Sequence, residues 1–281
     1  MDTRQNLTAT YDAVAAAYER AAVPVYRQIA KRLLQLIDLR PGWHVLDAGT
    51  GTGLVALLGA PRVGKTGKMI GIDLSEAMLE LARAKAAQFG FTQCEFRIGD
   101  LERLEFPDVA FNAVLSQFAL HHTDPAPVLR EFHRVLMPGG KLVLQDWADA
   151  PNTPHKTMFD ALAKYRAADA GDALARARAQ SERAQNFRLT LGIPQTMADA
   201  ARAAGFSDVD ARVEKHPARV ANADAFIDFA SASPLVAAEM AAMPDEVRAA
   251  FLREAREAPR AFETANGIGW TYNVVTLAAS K

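Results

Sequence analysis

Residues Val45-Leu46-Asp47-Ala48-Gly49-Thr50-Gly51-Thr52-Gly53 pass from an apolar run to an acid, then to glycines at three alternate positions, and on into an apolar segment of helical character. That order reads as a strand, a tight turn and a helix N-terminus. Glycine in such a turn lets a ligand come against bare backbone, and a helix N-terminus offers N–H groups to it. Asp47 adds a second constraint. A carboxylate is a poor neighbour for pyrophosphate and a good one for a cation. It tilts the turn from a dinucleotide toward a positively charged nucleoside.

The rest of the chain repeats the strand–helix theme. Strands are expected at 43–47, 68–73, 94–98, 111–116 and 141–146, and late ones at 209–213 and 272–278. Ser75 is expected to cap an amphipathic helix over 76–89, ended by Gly90. A second helix is expected over 125–136, closed by Pro138-Gly139-Gly140. Residues 9–37 read as helical with a break at Pro24, and the helix after Leu54 is expected to end near Gly59-Ala60-Pro61. Such alternation predicts an α/β fold with a doubly wound, mostly parallel seven-stranded sheet. Ligands then lie beyond the C-terminal strand ends, where Asp47, Asp73, Asp100 and Ser116 fall.

The expected organisation is N-terminal helices over 1–39, a core over 40–150, a helical lid insertion over 151–195, and the remaining core over 196–281. A second helical insertion sits at about 222–262, broken at Pro234, Pro244 and Pro259. The length of 281 residues suits one elaborated α/β domain or a core with a cap, and half the residues are hydrophobic. The net charge of −1 argues against nucleic acid as a partner. Cys94 is the single cysteine, which excludes a disulfide framework and a cysteine-based metal site. No signal sequence or membrane span is evident, and a cytoplasmic setting is expected.

The glycine turn alone is ambiguous, because Gly51-Thr52-Gly53-Leu54-Val55-Ala56 also satisfies the G-x-G-x-x-A form of the dinucleotide fingerprint. Asp73 stands 20 residues beyond Gly53 at the second strand's end and could take ribose hydroxyls of NAD or of any adenosine ligand. Asp100 separates the options. In Gly99-Asp100-Leu101 its carboxylate could receive an adenine amine while the Leu101 N–H meets a ring nitrogen, although a simple turn would also use an Asp there. Gly59-Ala60-Pro61-Arg62-Val63-Gly64-Lys65-Thr66 matches the phosphate-loop pattern. However, the residues that follow have strand rather than helix character, so a surface turn is expected.

This constellation resembles the class I S-adenosylmethionine-dependent methyltransferases, closely over about 40–150 and by topology over 196–281. The resemblance implies the Rossmann-like methyltransferase fold with helical lid insertions, and S-adenosylmethionine as cofactor without a metal. It implies that Asp47, Ala48, Gly49, Thr50, Gly51 and Gly53 surround the methionine part, that Asp73 holds the ribose, and that Leu74 and Met78 lie near the adenine face. Asp100 and Leu101 are then the adenine pair, and Ser116 borders the cofactor. Leu120-His121-His122-Thr123-Asp124-Pro125 and Arg134-Val135-Leu136-Met137-Pro138-Gly139-Gly140-Lys141 are typical of the branch containing quinone-biosynthesis and natural-product enzymes. That branch has an N-terminal segment like 11–18 that folds over the cofactor, which implies that the helices of 1–39 cover the cofactor cleft with Tyr11 and Tyr18 at the cofactor, with packing of a terminal helix as the alternative.

The chemistry implied is in-line methyl transfer to an O, N or C atom of a small, largely apolar molecule. A base is needed only where the nucleophile must lose a proton. His121 and His122 are the candidates for a base or substrate contact, although a histidine pair that orders its loop is the favoured alternative. Phe118 and Trp147 are candidate substrate contacts, and Phe187, Phe226 and Phe229 are among the apolar side chains that the insertions could supply to a pocket. A monomer or homodimer is expected. The alternatives are a protein that holds the same cofactor without methylating, as a cyclase or binding protein, and more remotely an NAD(P)-dependent oxidoreductase.

Overall fold

The computed structural model describes residues 3–150, 153–167 and 171–281. Its elements are α1 (Thr3–Asp12), α2 (Ala15–Ala17), a π-turn (Tyr18–Ala22), α3 (Val23–Gln35), β1 (His44–Ala48), α4 (Leu54–Val63), β2 (Lys68–Asp73), α5 (Glu76–Phe89), β3 (Cys94–Ile98) and β4 (Phe111–Gln117). There follow α6 (Pro125–Val135), β5 (Leu136–Trp147), α7 (Pro154–Lys164), α8 (Asp172–Leu189), α9 (Pro194–Ala203) and β6 (Ser207–Val220). The last are α10 (Ala223–Ser231), α11 (Pro234–Ala242), α12 (Asp245–Glu257), β7 (Glu263–Thr264) and β8 (Gly267–Ser280).

The sheet order is β3-β2-β1-β4-β5-β8-β6. The expected seven strands form this path, and the two-residue β7 pairs with β8 as an eighth. β3 to β5 are parallel, and β8 runs antiparallel against β5. Successive residues of a strand face opposite sides of a sheet. Thus Val45 joins Ala113, Leu115 and Val143 beneath α3, α4 and α5. Leu46 joins Val114, Leu142 and Leu144 beneath α6 and α9. Covering both faces explains why the central strands are almost wholly apolar.

Two compact units are present. One consists of Arg27–Asp149, Arg183–Glu214 and Asn273–Lys281, and contains the sheet core. The other consists of Met1–Tyr26, Ala150–Glu182 and Lys215–Tyr272. In this second unit His155 is ringed by Phe226, Phe229, Trp270 and Tyr272 at 5.1–5.7 Å between centroids. Phe226 and Phe229 are therefore buried packing, and Phe187 belongs to the core under the sheet. Arg178 grips the fully buried Glu239 through two hydrogen bonds of 2.8 and 3.0 Å. Among the described residues no single helix is long and apolar enough to cross a membrane.

Local signals explain most boundaries. Ser75 Oγ accepts the Met78 N–H at 3.2 Å, and Gly90 ends α5 in the left-handed region. Pro234 opens α11, and Pro244 precedes α12. Several expectations need correction. Pro24 does not separate two helices but sits in the first turn of α3, where its missing N–H costs nothing, and the break in the helical stretch lies earlier, at Ala13 and Val14. α4 runs through Pro61 to Val63. β5 begins at Leu136, which pairs with Phe111, and Pro138-Gly139-Gly140 lies within it at the register shift before Lys141 pairs with Ala113. β6 and β8 are each 14 residues long, well beyond the spans expected. The expected start of the first insertion at residue 151, and positions 168–170 of its helical stretch, lie outside the described residues. Gly64-Lys65-Thr66 ends α4 and starts no helix, as expected of a surface turn.

Candidate active site

The site is built on the C-terminal ends of β1, β2, β4 and β5, all within the sheet unit. Parallel pairing of Asp47 with Gly71 and Leu115 brings the β1 end level with its neighbours. Asp47 is buried, and its Oδ2 accepts from Thr50 Oγ1 at 2.7 Å and from the Ala56 N–H at 2.9 Å. Burial pushes its carboxyl up to about 6 against those two hydrogen bonds, and the charge on Asp73 adds to the rise. The acid is thus the internal anchor of the turn.

The three glycines of the turn do different work. A Cβ on Gly49 would come within 2.3 Å of the Ala119 Cβ, so this glycine lets the segment after β4 close on the turn. Gly53 fits against Ala82 and Phe96. A Cβ on Gly51 would meet nothing within 4 Å, and its N–H donates to Asp73 Oδ2 at 2.8 Å. It is the one glycine of the three that faces open space. Asp73 also accepts the Ser75 N–H through Oδ1 at 3.0 Å, so its carboxylate joins the turn to the start of α5.

The remaining predicted residues fall as follows. Ala48 is buried, and its carbonyl accepts from Ser116 Oγ at 2.8 Å, bracing β1 against β4. Leu74 is half-buried, while Met78 and Leu101 are buried. Asp100 forms a turn in which Oδ1 accepts the Glu102 N–H at 2.9 Å. Tyr11 and Tyr18 belong to the other unit, where Tyr18 packs against Tyr26 at 6.1 Å.

Beyond β4 and β5 lies a second group in the sheet unit. His121 Nδ1 is 2.7 Å from Asp146 Oδ1, and the His121 backbone N–H donates to Asp146 Oδ2 at 3.0 Å. Asp146 is fully buried and also accepts the Trp147 N–H at 2.7 Å. A carboxylate there favours the proton on Nδ1 and leaves Nε2 as the accepting edge of the ring. His122 lies with its ring 3.7 Å from that of His121. Burial, together with the charges of His121 and Arg183, holds it well below the usual imidazole value, so it is neutral at physiological pH. Phe118 and Trp147 lie face to face, 3.8 Å apart at 2°. Phe118 holds φ +57°, a strained value for a bulky residue, while its N–H donates to the Gln145 carbonyl at 2.8 Å.

The chain matches a known family. The methyltransferase-domain family covers residues 39–192, more than half of the chain. The chain belongs to the methyltransferase family. The methyltransferase is 33% identical over 224 residues to nocamycin O-methyltransferase of Saccharothrix syringae, which spans 78% of this chain and 79% of that relative. It is 40% identical over 106 residues to demethylmenaquinone methyltransferase of Symbiobacterium thermophilum, spanning 37% of this chain and 42% of that one. Among solved structures, phosphoethanolamine N-methyltransferase 2 of Haemonchus contortus, in complex with S-adenosylhomocysteine, superposes with a TM-score of 0.61 at 17% identity. That match spans all of this chain and 60% of the other and shows the fold. The methyltransferase is thus an S-adenosylmethionine-dependent enzyme of the class its sequence resembles, and the oxidoreductase alternative is set aside.

Sequence reasoning missed Asp146 as a site residue, although its place at a strand end was legible. Asp146 ends an apolar strand just as Asp47 and Asp73 do. It also missed Arg188, whose guanidinium lies over the Trp147 ring at 6.0 Å.

Proposed function

We propose that this methyltransferase moves a methyl group from S-adenosylmethionine to a hydroxyl oxygen of a small, largely apolar molecule. The observation that carries this reading is the His121 ring, held through Nδ1 by the buried Asp146 carboxylate. A neutral amine would need no such base, whereas a hydroxyl gains one. Similarity to nocamycin O-methyltransferase and demethylmenaquinone methyltransferase supports a small acceptor. A chain with one cysteine suits a reducing, cytoplasmic setting.

The residues present fit the cofactor. Two carboxylates, Asp47 and Asp73, suit a cationic nucleoside, and the open side of Gly51 lets it approach the backbone. When bound, S-adenosylmethionine supplies a methyl group activated on a sulfonium, so the oxygen–carbon bond forms as the carbon–sulfur bond breaks and a neutral thioether leaves. The chain's task is to orient the reactants and exclude water. Asp47 supplies negative charge beneath the turn, and Asp73 accepts the ribose hydroxyls beside the Gly51 N–H. Asp100 and Leu101 take the adenine edge, with Leu74 and Met78 beside it. Phe118 and Trp147 receive the acceptor. His121 Nε2 takes the hydroxyl proton as the oxygen attacks, and Asp146 stabilises the resulting imidazolium.

Calorimetry and transfer of a labelled methyl group to a panel of phenols and enols test this. Asp73→Ala should abolish S-adenosylmethionine binding, and retained affinity would overturn the ribose assignment. Asp146→Asn should lower kcat about a hundredfold with cofactor affinity intact. An unchanged kcat removes His121 as the base. Absence of label in every acceptor would favour a non-methylating role.

A further inference from the structure

The N-terminal ends of β1, β2 and β3 lie opposite the site and carry side chains that neither the core nor the chemistry uses. Backbone hydrogen bonds bring the turns there together. The Lys68 N–H donates to the Trp43 carbonyl at 2.9 Å, and the Met69 N–H to the Gln93 carbonyl at 3.0 Å. The Gly42 N–H donates to the Val63 carbonyl at 2.9 Å. Segments 38–44, 62–68 and 89–95 therefore form one end of the sheet unit.

That end is basic and aromatic. Its cations are Arg40, Arg62, Lys65 and Lys68, all exposed. Its acids are Asp38 and Glu95, which are held by Arg40 at 3.1 Å and by Arg97 at 3.6 Å. Lys65, the lysine of the phosphate-loop match, and Lys68 make no ion pair among the described residues. Phe89 is 57% exposed and its ring lies 5.8 Å from that of the half-buried Phe91. Trp43 is half-buried, with the Arg40 guanidinium over its ring at 5.9 Å.

Single exposed apolar residues are ordinary on a surface, but aromatic rings set among unpaired lysines suit one kind of partner. Phe and Trp enter the headgroup region of a bilayer, and lysine and arginine are drawn to anionic headgroups. Duplex nucleic acid would use the cations and leave Phe89 in water. The charge is also polarised along the strands, because Asp47, Asp73 and Asp146 stand at the opposite strand ends. The five residues of β1 separate the two ends by about 17 Å. An anionic surface attracts one end and repels the other, which sets the orientation of approach.

We infer that these turns dock the protein on a bilayer surface rich in anionic lipid. Phe89 enters the headgroup region, Lys65 and Lys68 meet the lipid phosphates, and the methyl-transfer site turns toward solution. The inference is independent of the acceptor proposed above.

The test is sedimentation of the full chain with vesicles of phosphatidylcholine alone and of an equal mixture with phosphatidylglycerol. The mixed vesicles should bind it at least about tenfold more tightly, and binding should weaken as salt rises. Lys65→Gln combined with Lys68→Gln should cut that partition at least about tenfold, since each cation near such a surface is worth about fivefold. Phe89→Ser should lower it about fivefold or more with an unchanged melting temperature, because the ring is already exposed. S-adenosylhomocysteine affinity should be the same in the parent protein and both variants, which reports separately on the cofactor site and on folding. Equal partition into the two vesicle types, an unchanged partition in the lysine variant or in Phe89→Ser, a partition lost only together with S-adenosylhomocysteine binding, or tighter binding to duplex DNA than to the mixed vesicles overturns the inference.

Discussion

Asp47 stands where stability and binding conflict. Its carboxyl is raised from an ordinary value near 3.8 to about 6, chiefly by burial. An acid raised in the folded state favours folding only while it is protonated. That contribution is complete below the unfolded value and is lost as pH rises through about 6, a difference on the order of 3 kcal/mol. Above that pH the ionised form is held at a cost that a cationic ligand can offset. Asp47→Asn keeps an acceptor for Thr50 and Ala56 without the charge. The variant should melt no lower than the parent protein at about pH 8, yet bind S-adenosylmethionine at least about tenfold more weakly. In the parent protein, cofactor affinity should fall as pH drops below about 6, by up to about tenfold per pH unit. Thermal melts and calorimetric titrations at the two ends of that range check both statements. A variant that melts lower while retaining affinity would reverse the assignment.

At the scale of the element, the turn between β1 and α4 predicts opposite outcomes for neighbouring glycines. Gly49→Ala drives a methyl group into Ala119 and should lower stability by about 2–4 kcal/mol, read as a fall in melting temperature. Gly51→Ala meets no protein atom and should cost only about 1 kcal/mol in backbone strain, yet abolish detectable cofactor binding in calorimetry. The turn itself was legible in the sequence because its signals are local, namely the glycine spacing, the acid and the helix that follows, whereas its contacts with Asp73 and Ala119 are not. The Ser75 and Gly90 caps and the proline breaks at Pro234 and Pro244 were legible for the same reason. What escaped is set by partners distant in the chain. The first residues of β5 look like a turn because of Gly139 and Gly140, whose backbone partner, Lys281, lies far away in the chain. β8 pairs with β5 over Val274–Ser280, and its first residues pair with β7. His121 and Asp146 are 25 residues apart, and nothing in either local sequence says that they meet.

At the scale of the whole molecule, each unit is assembled from three separate segments, so neither can be excised as one continuous piece. The sheet unit includes residues 273–281, far outside the family match at 39–192. Val274, Val275 and Leu277 are fully buried there, and Gly139 and Gly140 exchange backbone hydrogen bonds of 3.1 and 3.0 Å with Lys281. Deleting 273–281 should therefore remove cooperative unfolding of the sheet unit as well as catalysis, since strand β5 loses a neighbour along seven paired positions. A retained single sharp thermal transition would contradict this.

The same pairing constrains how the chain reaches its native state. Lys141 and Ser280 are register partners 139 positions apart. During synthesis β5 emerges with one hydrogen-bonding edge open, and that edge stays open until the segment 274–280 has been made. An open apolar strand edge is a template for pairing with other chains. Closure over so long a separation carries a large loop-entropy cost and is slow. The nascent enzyme is thus most prone to aggregate during the interval between the appearance of β5 and the arrival of its antiparallel neighbour, and a holdase chaperone that shields an apolar strand would act in that interval.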